Sequence, residues 1–121
     1  MNIESVVLKF LAAESQLQVL PRRIEEARRQ WEELLDSRCP GPACTVESLQ
    51  RLYGRYEDLE KLVQALEEKR KDYRENRDQL QRILQALNGR QLHYQYQAQS
   101  QPGSRHYRFW LEGEEVRFGV E

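Results

Sequence analysis

Apolar residues recur every seven positions along most of this chain. Counting from Leu52, the series runs Leu52, Leu59, Leu66, Tyr73, Leu80, Leu87; counting from Leu49, it runs Leu49, Tyr56, Val63, Arg70, Arg77, Leu84. These are the a and d positions of a heptad pattern, the seam by which one helix grips another. The stretch from Thr45 to Asn88 holds no proline and a single glycine, Gly54, so the pattern predicts one long helix over 45–88. At 1.5 Å per residue such a helix is about 65 Å long, and it needs a partner.

The same spacing appears earlier. Ile3, Phe10, Leu17, Ile24, Trp31 and Val6, Ala13, Leu20, Ala27, Leu34 form two interleaved series and predict a helix over 2–37. Pro21 falls inside it, where proline kinks a helix or opens a new one. The register passes through Pro21 without a phase slip, so a bent but continuous helix is expected. The pattern breaks in the segment Asp36 to Cys44, where Pro40-Gly41-Pro42 cannot be helical. Thr45 is placed to cap the second helix, with Glu47 in its first turn.

A short break between two long amphipathic helices favours an antiparallel hairpin over its rival, a parallel dimer of extended chains. Pairing outward from residues 38–44 sets Trp31 near Leu52, Ile24 near Leu59, Phe10 near Tyr73 and Ile3 near Leu80. The second helix then overshoots the first by about two turns, leaving Ile83, Leu84 and Leu87 to be covered by something else.

After Asn88-Gly89, a helix-ending pair, the period changes to two. Leu92, Tyr94 and Tyr96 alternate with polar residues, as do Tyr107, Phe109 and Leu111, and Val116, Phe118 and Val120. Residues 99–104 carry turn chemistry, and Gly113-Glu114 suits a two-residue hairpin turn pairing Phe109 with Phe118. A three-stranded antiparallel meander follows. Three strands alone are marginal, so its apolar face is expected on the open end of the hairpin, against Val7, Leu8, Leu11, Ile83, Leu84 and Leu87. The fold class is therefore α+β, mostly α: a helical hairpin over 1–88 and a small β head over 89–121.

Composition changes this picture little. With 121 residues, 32% charged, and a net charge of −1 from 19 basic and 20 acidic side chains, the chain has a large surface and no dominant field. The segment Glu67 to Gln79 has five bases and five acids around Tyr73 and reads as a solvated helix with pairs such as Glu67–Lys71, while Arg70 and Arg77 reach past the seam to water. No apolar run matches a membrane span, and the apolar N-terminus contains Glu4 and Lys9, so it reads as a helix face and not a signal peptide. A cytoplasmic protein is expected.

Candidate chemistry is sparse. Cys39 and Cys44 flank the turn; two reduced thiols are expected, ahead of a disulfide, with half of a shared zinc site last. His93 and His106 fall on neighbouring strands and are expected as a surface pair. There is no phosphate loop, zinc-protease motif or nucleophile elbow, so no catalytic residue, metal or cofactor is assigned.

The outer face of the head carries His93, Gln95, His106, Arg108, Trp110 and Arg117, and tryptophan and arginine dominate binding hot spots. Trp110, Arg108, Arg117, His106 and Tyr94 are the candidate partner-binding residues; Asp36, Cys39, Cys44 and Glu47 mark the hairpin tip. The expected function is a non-enzymatic protein–protein interaction module, a coiled-coil arm with a docking or dimerisation head, serving as an adaptor or subunit of a larger assembly. A long hairpin with Glu32, Glu33, Asp36 and Glu47 flanking its tip and a small globular base is similar in outline to the transcript-cleavage and related factors that enter the secondary channel of RNA polymerase. That likeness implies a regulator inserting its tip into a larger machine, although the base here is much smaller and no tip motif matches. The other alternative is single-stranded nucleic-acid binding by Trp110, Tyr94 and Arg108. Four arginines against four glutamates after Gly89 leave that face too balanced to favour it.

Overall fold

The computed structural model describes residues 2–96 and 105–121. Two helices, α1 (Ile3–Arg38) and α2 (Val46–Ala86), precede three strands, β1 (Leu92–Tyr96), β2 (Arg105–Glu112) and β3 (Glu115–Val120). The expected turn at 99–104 lies outside the described residues. The chain divides into two compact units, one of Leu11–Tyr73 and one of Met1–Phe10 with Arg74–Glu121.

Each helix begins on a side-chain cap. The Ser5 N–H donates to Asn2 Oδ1 at 3.1 Å, and the Ser48 N–H donates to Thr45 Oγ1 at 3.1 Å, satisfying donors that the first helical turn leaves unpaired. Helix α1 continues through Pro21, as the unbroken register requires. Helix α2 stops where Asn88 and Gly89 take left-handed φ values of 54° and 86°.

The unit Leu11–Tyr73 is the helical hairpin. Most of its seam follows the heptads: Ala13, Leu20, Ile24, Leu52 and Leu59 are buried, and Leu17, Trp31 and Leu66 are half-buried, while Leu49 and Tyr56, also counted into the seam, are exposed. Trp31 meets Tyr56, with ring centroids 5.4 Å apart, one helical turn beyond its expected neighbour Leu52. Arg70, at a seam position by count, is exposed.

The expectation of two reduced thiols is corrected. Cys39 and Cys44 form a disulfide, their Cα atoms 5.0 Å apart. Pro40-Gly41-Pro42 reverses the chain between the two helices and brings the residues on either side into bridging range. Redox compartment was the basis for expecting thiols, and it says nothing about this reach.

In the unit of Met1–Phe10 with Arg74–Glu121, the meander has strand order β1-β2-β3, antiparallel throughout. Leu111 pairs with Val116, Phe109 with Phe118 and Tyr107 with Val120, the register expected from a turn at Gly113-Glu114. Gly113 supplies the positive φ, 66°, that this tight turn demands. The apolar face of the sheet covers the first turns of α1 and the last turns of α2. Val6, Val7, Phe10, Leu80, Leu84 and Phe109 are all buried. Phe10 stands edge-on to both Phe109 and Phe118, at centroid distances of 6.2 and 5.7 Å. The Gln81 side-chain amide donates to the Glu114 carbonyl at 2.8 Å, tying α2 to the β2–β3 turn.

Arg77 reaches water as expected, but the residue that fills the inner face beside it was not foreseen. Arg77 is exposed beside Asp78, at 3.6 Å, and its neighbour Asn76 is buried in its stead. Asn76, Leu80 and Leu84 are spaced by fours and share one helix face, so the inward stripe here follows the helical period of 3.6 and not the strict seven.

Two stability outcomes follow from these contacts. Phe10→Ala removes the ring that stands edge-on against Phe109 and Phe118 and lowers the unfolding free energy by about 3–5 kcal/mol in urea titrations. Reducing Cys39–Cys44, which closes a loop of sequence separation 5, lowers it by about 2 kcal/mol through restored freedom of the unfolded chain, with far-ultraviolet circular dichroism unchanged.

Candidate functional site

Two surfaces carry the candidate residues, one on each unit. On the sheet, β2 is the central strand, and its residues His106, Arg108 and Trp110 project to the face away from Phe109. The ladder sets Arg117 opposite Trp110 and His93 opposite Arg108. Four of the five expected partner-binding residues, His106, Arg108, Trp110 and Arg117, therefore share this outer face.

Tyr94 does not join them. It pairs with Tyr107 and lies on the covered face, where its hydroxyl donates to the Glu4 carboxylate at 3.2 Å. Alternation alone placed it there with Leu92 and Tyr96, and grouping it with Trp110 ignored the pleat. Burial raises the Tyr94 pKa above its ordinary value of 10.0, the hydrogen bond to Glu4 and its negative charge raise it further, and Tyr96 adds to the effect.

The outer face satisfies much of its own chemistry. The Arg108 guanidinium lies 5.0 Å from the centre of the Trp110 ring and 3.6 Å from the Glu121 carboxylate. Its Nε is buried without a hydrogen-bond partner. The indole lies over Gly119, where a Cβ would sit 3.7 Å from the ring carbons. Arg117 is held between Glu115 at 2.7 Å and Glu112 at 3.5 Å. His93 Nδ1 and His106 Nε2 are 2.8 Å apart. These pairings set acidic groups beside both arginines of this face.

The second surface lies on the hairpin, and sequence reasoning missed it. Val46, Leu49, Tyr53 and Tyr56 stay 73%, 44%, 48% and 37% exposed. Their spacing of three, four and three residues aligns them as one stripe along the start of α2. Tyr53 and Tyr56 are in ring contact at 6.0 Å, and Tyr56 continues to Trp31 of α1. A shallow groove runs on from this aromatic cluster, floored by Leu59 and Val63 and rimmed by Arg28, Glu60 and Glu67. The signal was present: Leu49 and Tyr56 were assigned to the seam, but Leu52 and Leu59 fill that role, and Val46 and Tyr53 extend a separate stripe.

The tip residues are simpler. Asp36 and Glu47 are exposed, and Glu47 pairs with Arg51 of its own helix at 3.3 Å. No helix among the described residues is long and apolar enough to cross a membrane.

The Tyr94–Glu4 bond gives a pH signature. The fold favours the neutral phenol, so its contribution to stability is complete below pH 10 and is lost as pH rises through the higher pKa of the folded state. Ultraviolet titration of the phenols shows Tyr94 ionising late, and Glu4→Gln brings it part of the way back, the effect of burial remaining. Comparison of the chain with protein-family models, curated proteins and solved structures finds no significant match in any of the three.

Proposed function

We propose that this chain is a non-enzymatic protein–protein interaction module whose helical hairpin packs against a helix of a protein partner. The observation that carries this reading is the exposed Val46–Leu49–Tyr53–Tyr56 stripe, continuous with Trp31. Four large apolar side chains at heptad-like spacing on a helix already packed by another stripe form a second, unoccupied packing face. Binding an amphipathic helix in such a groove buries its apolar face against the aromatics and leaves the charged rim to set register. Arg28 on one wall and Glu60 and Glu67 on the other give the groove both signs of charge, which suits a partner helix with both signs.

The outer sheet face is the second candidate surface, through Trp110. Its arginines are already paired within the sheet, so it offers a polar and aromatic patch and little net charge.

The test is affinity capture from the source cell, run beside light scattering of the purified chain. Tyr53→Ser with Tyr56→Ser removes two aromatic anchors, each worth about 2 kcal/mol where it sits in a buried interface, so the captured partner is lost while helicity is kept. A change in molar mass produced by the same pair identifies the partner as a second copy. Trp110→Ala, run in parallel, removes the partner only when the sheet face is the docking surface. Capture and mass that are unaltered by all three substitutions overturn the proposal.

A further inference from the structure

Two histidines are in contact on the outer face of the sheet. His93 is exposed and His106 half-buried, and their rings, with centroids 5.1 Å apart, bring Nδ1 of one to 2.8 Å from Nε2 of the other. The β1–β2 ladder pairs His93 with Arg108 and His106 with Gln95, so the two histidines are diagonal neighbours on one face. Their backbones are therefore fixed by the sheet on both sides of the contact.

We infer that His93 and His106 form a two-imidazole site for a divalent transition-metal ion, with Cu(II) preferred and Ni(II) and Zn(II) weaker. Two neutral imidazoles in this contact share one hydrogen, one nitrogen donating and the other accepting. A metal ion takes the place of that hydrogen. The donating ring gives up its proton to solvent and takes one up at its other nitrogen, so the pair stays neutral and no net proton is released.

The close approach of the two nitrogens favours a narrow bite. With metal–nitrogen bonds of about 2.0–2.1 Å, two ligands at right angles lie about 2.9 Å apart, whereas two at the tetrahedral angle lie about 3.4 Å apart. The present 2.8 Å is a hydrogen-bond length, and when the rings rotate to aim both lone pairs at one point the right-angled arrangement needs a smaller opening of the pair than the tetrahedral one. A right angle suits the tetragonal preference of Cu(II) and Ni(II), and Cu(II) also leads the affinity order for nitrogen ligands.

No group of three or more His, Cys, Asp or Glu residues able to hold a metal exists among the described residues. The site is thus a two-ligand one on an open face, with water completing the coordination shell. The positive charge of Arg108 opposes a dication here. Glu121 offsets it at 3.6 Å, and the Glu121 N–H is anchored to the His106 carbonyl at 2.8 Å.

The experiment is calorimetric titration of the full chain with copper, nickel and zinc chlorides in a non-coordinating buffer at neutral pH. One equivalent of Cu(II) binds, more tightly than Ni(II) or Zn(II), and its electron paramagnetic resonance spectrum shows coupling to two imidazole nitrogens. Loss of even an outer partner of a metal site costs about 10–100-fold, so His93→Ala and His106→Ala each weaken copper at least about tenfold. Gln95→Ala, on the same face, leaves it unchanged, and circular dichroism shows every variant folded. The inference is overturned when no copper binds, when either histidine variant retains full affinity, or when coupling to two nitrogens persists in a variant carrying both His93→Ala and His106→Ala.

Discussion

The sheet exists because something covers it. Three strands bury too little surface to stand alone, and Phe10 supplies the cover by standing edge-on to Phe109 and Phe118. The ring comes from the first turns of α1, while Leu80 and Leu84 come from the last turns of α2, so residues far apart in the chain meet in one core. That is why the compact unit joins Met1–Phe10 to Arg74–Glu121 and does not begin where the helices end. The meander is a covering layer for two helix ends, and it holds its outer residues in fixed register as a result.

The long helix α2 serves two masters along its first turns. Leu52 and Leu59 face the seam and are buried, while Val46, Leu49, Tyr53 and Tyr56 form an adjacent stripe that stays largely exposed and meets α1 through the contact of Tyr56 with Trp31. A helix bound on one side only would carry polar residues there. Retaining aromatics on that stripe costs solubility unless another helix covers them, which is the physical case for a docking role.

Much of this fold was legible in the residues because its signals are strongly periodic. Heptads located both helices, and alternation with Gly113 located the β2–β3 register to the residue. The failures have local causes. The burial of Asn76 was not foreseen because the helical period drifts from seven over a long run. The disulfide depended on how tightly Pro40-Gly41-Pro42 turns the chain, which spacing alone does not specify. Of the candidate site, Arg108, Trp110, Arg117 and His106 were placed together by the two-residue period, and the same rule, applied to Tyr94, would have excluded it. The Trp31–Tyr56–Tyr53 cluster escaped because a heptad series reports which residues are apolar, not which of two neighbouring stripes the partner helix covers.

The cystine at the bend makes the two helices a single covalent body in a sense the peptide bonds alone do not. A protease that cuts anywhere between Cys39 and Cys44 severs the backbone but leaves α1 and α2 joined through sulfur. Such a nicked chain keeps its mass on a gel until a reductant is added, then falls into two fragments. The exposed turn of the hairpin is thereby insured against the kind of damage exposed turns attract.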